Sequence, residues 1–438
     1  MQDYFNQLAD KLMTHLTGQE FLTVSLTGER SDFVRLNNNK IRQAGNVSQV
    51  DVNVDLIEGK RHASATCDLS GNIQEDLSLL SDILKRLREQ RALLPEDPYL
   101  NYATDVNNTS HMAPSSIPST EEALEQIITA GIDLDLVGIL ASGDMFRGFA
   151  NSAGQRNWHS STNFNFDFSV YHSSDKAIKL DYAGTQWGEE VLKSRMYTAR
   201  EGLKVLERPA KTIKPGTYRA YLAPAAMRDI MDMMAWQGYG LKSHRTTQTP
   251  LIKMVKEGLT LHPAVTIKED HIGGLAARFT TDGFLKPDQV TLIKAGAYQD
   301  CLVGARSARE YDQNVNAGSE HPNSLRLAAG NLLQSEILEQ LHTGLYINNL
   351  WYCNFSDHNN CRITGMTRYA CYWVENGKIE SPINVMRFDE SIYQMLGDNL
   401  IGLTKEREFL FDSSSYNQRS FASHFLPGAL IEAFTLTL

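Results

Sequence analysis

The residues with the clearest potential for metal chemistry lie between Cys353 and Cys361. The Cys353 and Cys361 thiols, the Asp357 carboxylate and the His358 imidazole fall within nine residues, and cysteine and histidine are common zinc ligands. Their spacing matches no standard zinc knuckle. Two interpretations are therefore open: a structural zinc site held by Cys353, His358 and Cys361, or loop residues that bind no metal. The sequence favours the second, because of this spacing and because a loop cysteine usually needs no metal. Separately, none of the 12 histidines has the HExxH or HxxxH spacing that places two imidazoles on one helix face.

No motif for nucleophilic catalysis accompanies this cluster. A Gly-x-Ser-x-Gly elbow is absent, as are the glycine-rich phosphate loops of the Walker and Rossmann types. Cys301 lies in a predicted strand, where a cysteine typically acts as a small core residue. The polar clusters Ser243–Arg245 and Glu269–His271 are interpreted as loops. We therefore assign no catalytic residue in this chain.

An arginine and its aromatic neighbours form the candidate site for a peptide or a partner. Arg368 follows Thr367 in a Gly-Met-Thr-Arg sequence that we expect to form a tight turn. A guanidinium can bind a carboxylate through two parallel hydrogen bonds or stack on a ring; an ion pair within the chain is the alternative. Trp351, Tyr372 and Trp373 should be mainly core, but strand alternation places some aromatic side chains on the opposite face, where they could bind a ligand.

These candidates lie on and beside a predicted β-hairpin. Tyr369–Val374 is rich in aromatic and β-branched residues, and Ile379–Ile383 follows it as a second strand. Asn376-Gly377 between them fits a type I′ turn, which requires positive φ at both central residues. Pro382 has no N–H to donate, so the second strand should lie at a sheet edge. Gly344–Trp351 predicts a further strand.

The remaining patterns predict an α+β fold in three units. Residues 1–94 read as a helix, an antiparallel meander and a second helix. Residues 95–210 form a small α+β unit in which Ser119–Glu122 has the pattern of a capping box. Residues 211–438 form a large β-rich unit with mainly antiparallel sheets. The predicted fold is therefore α+β throughout.

Turn-forming residues divide the meander of the first unit into short strands. Thr27-Gly28, Asn37–Asn39, Gly45-Asn46 and Glu58-Gly59 each predict a break. In the strand that follows the third break, apolar residues alternate with polar ones, which is typical of a strand buried on one face. We expect five short strands here.

Composition excludes several functional classes. The formal charge of −10 and the pI near 5.7 argue against binding to a nucleic-acid backbone. No apolar run reaches the length of about 18 residues that a membrane-spanning helix needs, and the N-terminus lacks the basic and apolar regions of a signal peptide. The five cysteines are scattered and odd in number, which favours reduced thiols in the cytoplasm. We expect a cytoplasmic protein with no nucleic-acid or membrane partner.

Three blocks of sequence together resemble the TldD/PmbA (TldD/TldE) family, bacterial and archaeal peptidases or peptidase subunits also called modulators of gyrase. The blocks follow the family's order over nearly the whole chain. They are Phe33–Asn37 with Gly59–Thr66, Phe279–Gly283 with Leu292–Tyr298 and Ala308–Tyr311, and Gly344–Ile347 with Thr364–Arg368 and Trp373–Ile379.

The resemblance implies a role without zinc for this chain. Members of the TldD branch carry an HExxxH zinc motif on a helix early in the C-terminal domain, whereas the corresponding segment here, Ala225–Gly240, has neither histidine nor glutamate. The chain is therefore similar to the TldE/PmbA branch, which implies no cofactor of its own and a TldD-type partner that binds the zinc. The implied substrates are unfolded or leader-bearing peptides. Two alternatives stay open: an independent peptide hydrolase with another site, and a homodimeric peptide-binding protein.

Overall fold

Two β-sheets with their helices form the chain. The computed structural model describes residues 1–172 and 176–437. The predicted α+β class with mainly antiparallel sheets is confirmed. The elements of the first sheet are α1 (Gln2–Met13), β1 (Phe21–Asn37), β2 (Lys40–Glu58), β3 (Arg61–Asp68), α2 (Ile73–Leu93), β4 (Thr109–Ala113), α3 (Thr120–Ala130), β5 (Asp135–Asn151), β6 (Arg156–Tyr171), β7 (Ala177–Gly184) and α4 (Glu189–Leu206).

The second sheet and its helices follow in the chain. Its elements are β8 (Gly216–Leu222), α5 (Pro224–Ala235), α6 (Leu241–Arg245), α7 (Ile252–Glu257), β9 (Ile267–Asp270), β10 (Gln289–Lys294), β11 (Ala297–Tyr298), α8 (Ala305–Tyr311), β12 (Ser324–Leu327), a 3₁₀ turn (Gln334–Glu336), α9 (Ile337–Leu341), β13 (Gly344–Ile347), β14 (Asn349–Asp357), β15 (Arg362–Arg368), β16 (Tyr372–Glu375), β17 (Lys378–Pro382), β18 (Arg387–Ser391), α10 (Ile392–Met395), β19 (Leu400–Phe411) and β20 (Ser423–Leu436).

The first sheet contains long strands where the sequence predicts short ones. β1 and β2 have 17 and 19 residues and pair along their length, so the predicted turns at Thr27-Gly28 and Gly45-Asn46 are wrong. Gly28 lies opposite Val50, and a Cβ there would approach Gln49 O to 3.0 Å. This glycine serves close strand packing and not a turn. The turn at Asn38-Asn39, with φ of 51° and 52°, is confirmed.

Strand pairing in the first sheet runs across the predicted boundary at residue 94. The strand order is β3-β2-β1-β5-β6-β4, and β7 also pairs with β6. β1 pairs with β5 from Thr23 opposite Asn151 to Leu36 opposite Gly138. Residues 1–94 and 95–210 therefore contribute to one continuous sheet. The predicted capping box of α3 is present between Ser119 and Glu122.

The two faces of the first sheet differ in character. One face is apolar and is covered by α1 to α4; it carries Phe164, Phe166 and Phe168, as their alternation predicts. The opposite face, here named the polar face, is buried against loops of the second sheet. There Gln155 Nε2 donates to Gly283 O at 2.7 Å, and Arg419 Nη2 donates to Asn163 O at 3.2 Å. The contact between the two sheets thus contains hydrogen bonds, together with smaller apolar clusters around Met145 and Phe149.

The polar face continues along three neighbouring strands. Its buried residues include Glu29 and Ser31 of β1 and Asn157, His159, Ser161, Asn163 and Asn165 of β6. Because β5 lies between β1 and β6, its residues on the same face complete this surface.

The second sheet is built around β20. This strand pairs with β8, β12, β18 and β19 within a sheet of 13 strands. α5 packs against β20 and buries most of its apolar residues in the core between them. Pro224 is the first residue of α5, a position where its missing N–H costs no hydrogen bond.

The predicted hairpin is confirmed, but its surroundings differ from the prediction. Asn376 and Gly377, with φ of 52° and 74°, connect β16 and β17, and β17 ends the strand order at an edge. The predicted tight turn Gly365–Arg368 is wrong: these residues lie in β15, which pairs with β14 on one side and β18 on the other. The predicted strand Gly344–Trp351 is divided at Asn348 into β13 and β14.

Among the described residues, we find no helix of the length and apolar character that crossing a membrane requires.

Candidate site between the two sheets

Three charged residues interrupt the apolar helix α5. Arg228, Asp229 and Asp232 lie on a helix whose other residues are mainly buried alanine, isoleucine and methionine. Arg228 and Asp232 are four residues apart and so share one side of the helix. Charged residues in a core helix require partners, because an unpaired buried charge is costly.

The partner of Arg228 comes from the first sheet. Arg228 Nη1 lies 3.6 Å from Asp181 Oδ2 on β7, and both side chains are largely buried. Burial raises the pKa of Asp181, while the neighbouring carboxylates raise the pKa of Arg228 against the effect of burial. Asp181 Oδ1 has no hydrogen-bond partner in the described part of the chain. This ion pair connects α5 directly to the opposite sheet.

The two aspartates of α5 differ in environment. Burial raises the pKa of Asp229 to about 6, although Arg228 opposes this effect. Asp232 is half exposed, and its Oδ1 lies 3.0 Å from His424 Nε2 on β20. α5 therefore presents one shielded carboxyl group and one that is accessible and paired.

A cavity of about 410 Å³ adjoins this cluster. It lies between the polar face and the segment 412–415, and its wall contains Arg35, Asp167, Lys179 and Arg419 beside Phe33, Val137 and Ile139. Lys179 Nζ lies 3.4 Å from Asp167 Oδ2, and both residues act electrostatically on Asp181. Charges of both signs beside apolar side chains suit a peptide segment, which has a polar backbone and mixed side chains.

Arg368 lies at the surface near this cavity. Its Cζ lies 5.0 Å from the ring centre of Trp351 and 5.5 Å from that of Tyr369, a cation–π arrangement. Within residues 1–172 and 176–437, Arg368 forms no ion pair. The ion pair within the chain that was the alternative is therefore absent there, and Arg368 stacks on aromatic rings instead. Tyr369 itself lines the cavity, so Arg368 stacks on a residue of the cavity wall.

An exposed aromatic patch surrounds Arg368. We define it as Trp351, Tyr352, Arg368 and Tyr369. Trp351 and Tyr352 are 46% and 77% exposed. Tyr352 and Tyr369 have φ of 56° and 59°, a left-handed conformation that is unfavourable for bulky residues. The pairing of β14 with β15 shifts between Trp351 and Asn354. Such backbone strain is typical of functional sites. No pattern in the amino-acid sequence predicts a positive φ at these two tyrosines.

The other predicted binding residues do not lie in this patch. Thr367 is buried, and its Oγ1 accepts a hydrogen bond from Met386 N at 3.0 Å. Tyr372 is buried beside α4, where a Cβ on Gly202 would lie 3.2 Å from its hydroxyl. Trp373 is partly buried, with Lys211 Nζ 4.1 Å from its ring centre. Thr367 therefore lies inside the sheet, Tyr372 lines a separate cavity of about 370 Å³ beside α4, and Trp373 lies outside the patch.

The proposed alternative zinc ligands lie on the hairpin β14–β15. Cys361 is buried in the core, and burial raises the pKa of the half-buried Cys353 to about 12. His358 packs its ring against Phe355 at 4.8 Å. Cysteine binds zinc as a thiolate, so burial disfavours binding at either thiol. Across the described residues, no three His, Cys, Asp or Glu side chains are placed to hold a metal.

A protein-family model matches the second half of the chain. A family model described as the PmbA/TldA metallopeptidase C-terminal domain matches residues 215–438, just over half of the chain. The chain belongs to the PmbA/TldD family. A search of curated proteins gives no significant match. The recognition of this family from its sequence blocks is confirmed.

Three solved structures share the whole fold. TldE from Thermococcus kodakarensis gives a TM-score of 0.76 at 14% identity and covers 99% of this chain and 100% of its own. A proposed modulator of a DNA gyrase from Thermotoga maritima gives 0.75 at 14%, with 99% of both chains covered. A proposed modulator of DNA gyrase from Bacteroides thetaiotaomicron gives 0.74 at 12%, covering 99% and 98%. At this identity the likeness shows the fold of the PmbA/TldD family.

The residues of α5 do not fit the zinc site of the TldD branch of the PmbA/TldD family. Zinc in proteins is held by three or four cysteine, histidine or carboxylate ligands. α5 offers Asp229 and Asp232, of which the first lies beside Arg228 and the second is paired with His424. This donor set is smaller than a zinc site requires. Arg228, Asp181 and His424 come from three different elements, so no local sequence pattern indicates their cluster.

Proposed function

We propose that this chain is the TldE/PmbA-like, non-catalytic subunit of a cytoplasmic metallopeptidase that acts on unfolded or leader-bearing peptides. One observation carries the proposal: α5, the helix that corresponds to the zinc helix of the TldD branch, holds an ion pair to Asp181 and a pair to His424 where metal ligands would be needed. Its family membership supports a place in peptide hydrolysis.

In this proposal the chain binds peptide and the partner supplies the zinc. Zinc would lower the pKa of a bound water so that it can attack a peptide bond. The cavity of about 410 Å³ next to α5 would hold part of the extended substrate. Lys179 and Arg35 offer cations to acidic groups of the peptide, Asp167 offers an anion, and Ile139 offers apolar contact.

The aromatic patch is the proposed surface for the TldD-type partner. Tryptophan, tyrosine and arginine dominate the binding energy of protein interfaces, and all three residue types are stacked here at the surface. The patch borders the cavity through Tyr369. A partner docked there would place its zinc close to peptide bound in the cavity.

Co-expression with a TldD-type chain tests the proposal. We expect the two chains to co-elute in size-exclusion chromatography, with about one zinc per heterodimer and none in this chain alone. The pair should cleave an unstructured protein such as reduced, alkylated casein, and EDTA should stop the cleavage.

Two outcomes would refute the proposal. Cleavage by this chain alone in EDTA would identify an independent hydrolase. A stable homodimer that binds peptides but stays separate from TldD-type chains at micromolar concentrations would identify a stand-alone peptide-binding protein.

A further inference from the structure

A second cavity, of about 270 Å³, lies at the other part of the polar face. Thr27, Arg147 and His159 are directly opposite one another on β1, β5 and β6, so they share this face. The cavity wall contains Arg147 and Lys286, and among its described residues there is no aspartate or glutamate. We name it the cationic cavity.

The two cations have few partners. Arg147 Nη1 donates to Phe146 O at 2.8 Å, and its Cζ lies 4.9 Å from the ring centre of Phe421. Neither Arg147 nor Lys286 forms an ion pair with any residue that the structure describes. Glu29 and Asp51 act electrostatically on Arg147, but neither lines the cavity. An anion in the cavity would bring a counter-charge to both cations.

The carboxylate that acts on Lys286 is hydrogen-bonded to other residues. Glu269 acts electrostatically on Lys286, but its Oε1 accepts hydrogen bonds from Asn323 N at 2.9 Å and Ser324 N at 3.1 Å. Glu269 is 1% exposed and does not line the cavity. Glu269 therefore offsets part of the charge of Lys286 from outside the cavity. The charged residues of the described cavity wall are both cations.

Four basic groups in and around the cavity have lowered pKa values. Burial lowers the pKa of Lys286 to about 8 and that of Arg147 to about 10. Burial, with a smaller contribution from Lys286, lowers the pKa of His159 and of His271 to about 4. Both histidines are thus neutral near pH 7 and do not add to the charge.

The remainder of the wall combines hydroxyl groups with aromatic rings. The hydroxyls of Ser25, Thr27 and Thr281 make no hydrogen bond to the described part of the chain, so they are available to a ligand. Phe279 and Phe421 form an apolar surface beside them. Cations, free hydroxyls and rings together match an anion that carries an apolar substituent.

We propose that the cationic cavity binds the carboxylate of a peptide C-terminus, with Arg147 and Lys286 on the carboxylate and Phe279 and Phe421 against an apolar last side chain. The choice of a peptide over another carboxylate rests on the proposed function, whereas the anion site does not. A charge-assisted hydrogen bond from each cation would hold the two carboxylate oxygens. Inorganic phosphate shares the negative charge but has no group for the aromatic wall.

Calorimetric titration of this chain alone tests the site. The probes are acetyl-Ala-Ala-Leu with a free carboxylate, the same peptide as its C-terminal amide, and inorganic phosphate. At pH 7 we expect the free carboxylate to bind at least tenfold more tightly than the amide or phosphate. Lys286→Met and Arg147→Met should each weaken its binding at least tenfold, and Lys294→Met, an exposed lysine outside the cavity, should leave it unchanged.

The pH dependence gives a second readout. Because the pKa of Lys286 is about 8, affinity for the free carboxylate should fall as pH rises from about 7 to 9. Lys286→Arg keeps its charge over this range, so its affinity should stay nearly constant. Arg147, His159, His271 and Glu269 are the other titratable groups around the lysine. The pKa of both histidines, about 4, lies below this range and that of Arg147, about 10, lies above it. Lys286→Arg leaves Glu269 in place and so controls for its titration.

Stability separates loss of the site from misfolding. Lys286→Met removes a buried cation but also the charge that acts on the buried Glu269. These effects oppose each other, so the midpoint of urea unfolding should stay close to that of the unchanged chain. Equal binding of the free-acid peptide and its amide, or no binding of either, would overturn the proposal. Tighter binding of inorganic phosphate than of the peptide would also overturn it and would identify a phosphate site. Since no partner chain is present, these outcomes are independent of the co-elution that tests the proposed function.

Discussion

Asp229 of α5 illustrates how burial determines the charge of a single residue. Its pKa is raised to about 6 by burial, above the ordinary value of about 4. Between about pH 4 and 6 the native state binds more protons than the unfolded state, so this residue's contribution to stability is lost as pH rises through that range. At pH 7.5 the carboxylate is charged in both states and its full burial cost remains.

Asp229→Asn should therefore stabilise the protein at pH 7.5. The amide is uncharged in both states, so we expect the free energy of unfolding to rise by about 2 kcal/mol. The gain should shrink towards zero below about pH 4. Urea unfolding at several pH values measures it, with the exposed Asp398→Asn as the control. A gain that does not change with pH would mean that the benefit is steric and not electrostatic.

Single residues were predictable where the cause is local in sequence. Asn376 and Gly377 specify their turn without help from the rest of the chain, and Pro224 begins α5 as its missing N–H requires. Arg228 was not recognised as part of a site, because its partner Asp181 belongs to the other sheet. The charge on an otherwise apolar helix was the one available signal.

The hairpin β16–β17 provides a test at the scale of one element. Gly377 has φ of 74°, a conformation that glycine adopts without strain and alanine does not. Gly377→Ala should lower the free energy of unfolding by about 1 kcal/mol. Gly45→Ala, inside β2 with open space at its Cβ position, is the control and should be neutral or stabilising. Equal losses for both variants would show that the turn conformation is not the cause.

Elements were predictable from periodicity, but their lengths and partners were not. The alternation of apolar and polar residues identified the strand in the second half of β2, and residues 1–94 contain the two predicted helices, α1 and α2. Gly28 and Gly45 resembled turn residues, yet both lie within long paired strands. Gly28 pairs with β2 and β5, and Gly45 pairs with β1. Pairing with a neighbouring strand holds the backbone extended, and this tertiary information is missing from a local pattern.

At the scale of the whole molecule, the Arg228–Asp181 pair connects the two sheets. Arg228→Met would leave Asp181 buried without its counter-charge, so the free energy of unfolding should fall by about 3 kcal/mol. Asp181→Leu added to Arg228→Met should restore most of the loss, because both charges are then removed. Lys193→Met, which breaks an exposed pair with Glu189 on α4, should have no measurable effect.

Cooperativity of unfolding shows whether the pair acts between the sheets. In the unchanged chain the polar contact and the insertion of Tyr372 beside α4 should make both sheets unfold together. Arg228→Met is expected to keep one transition at a lower urea midpoint. Two separate transitions would show that this pair is a principal link between the sheets, and an unchanged midpoint would contradict its structural role.

The aromatic patch makes a prediction about assembly. Trp351→Ala and Arg368→Ala remove exposed stacked side chains, so each should leave the free energy of unfolding nearly unchanged while weakening binding to a TldD-type partner by at least tenfold, as expected for hot-spot residues. Leu93→Ala, at a residue that is 88% exposed at the end of α2, on the apolar side of the first sheet, is the control and should bind normally. Surface plasmon resonance with the immobilised partner measures all three variants. If the two patch variants bind like the control, the partner docks elsewhere, and the strained tyrosines of the patch would then serve the cavity that Tyr369 lines.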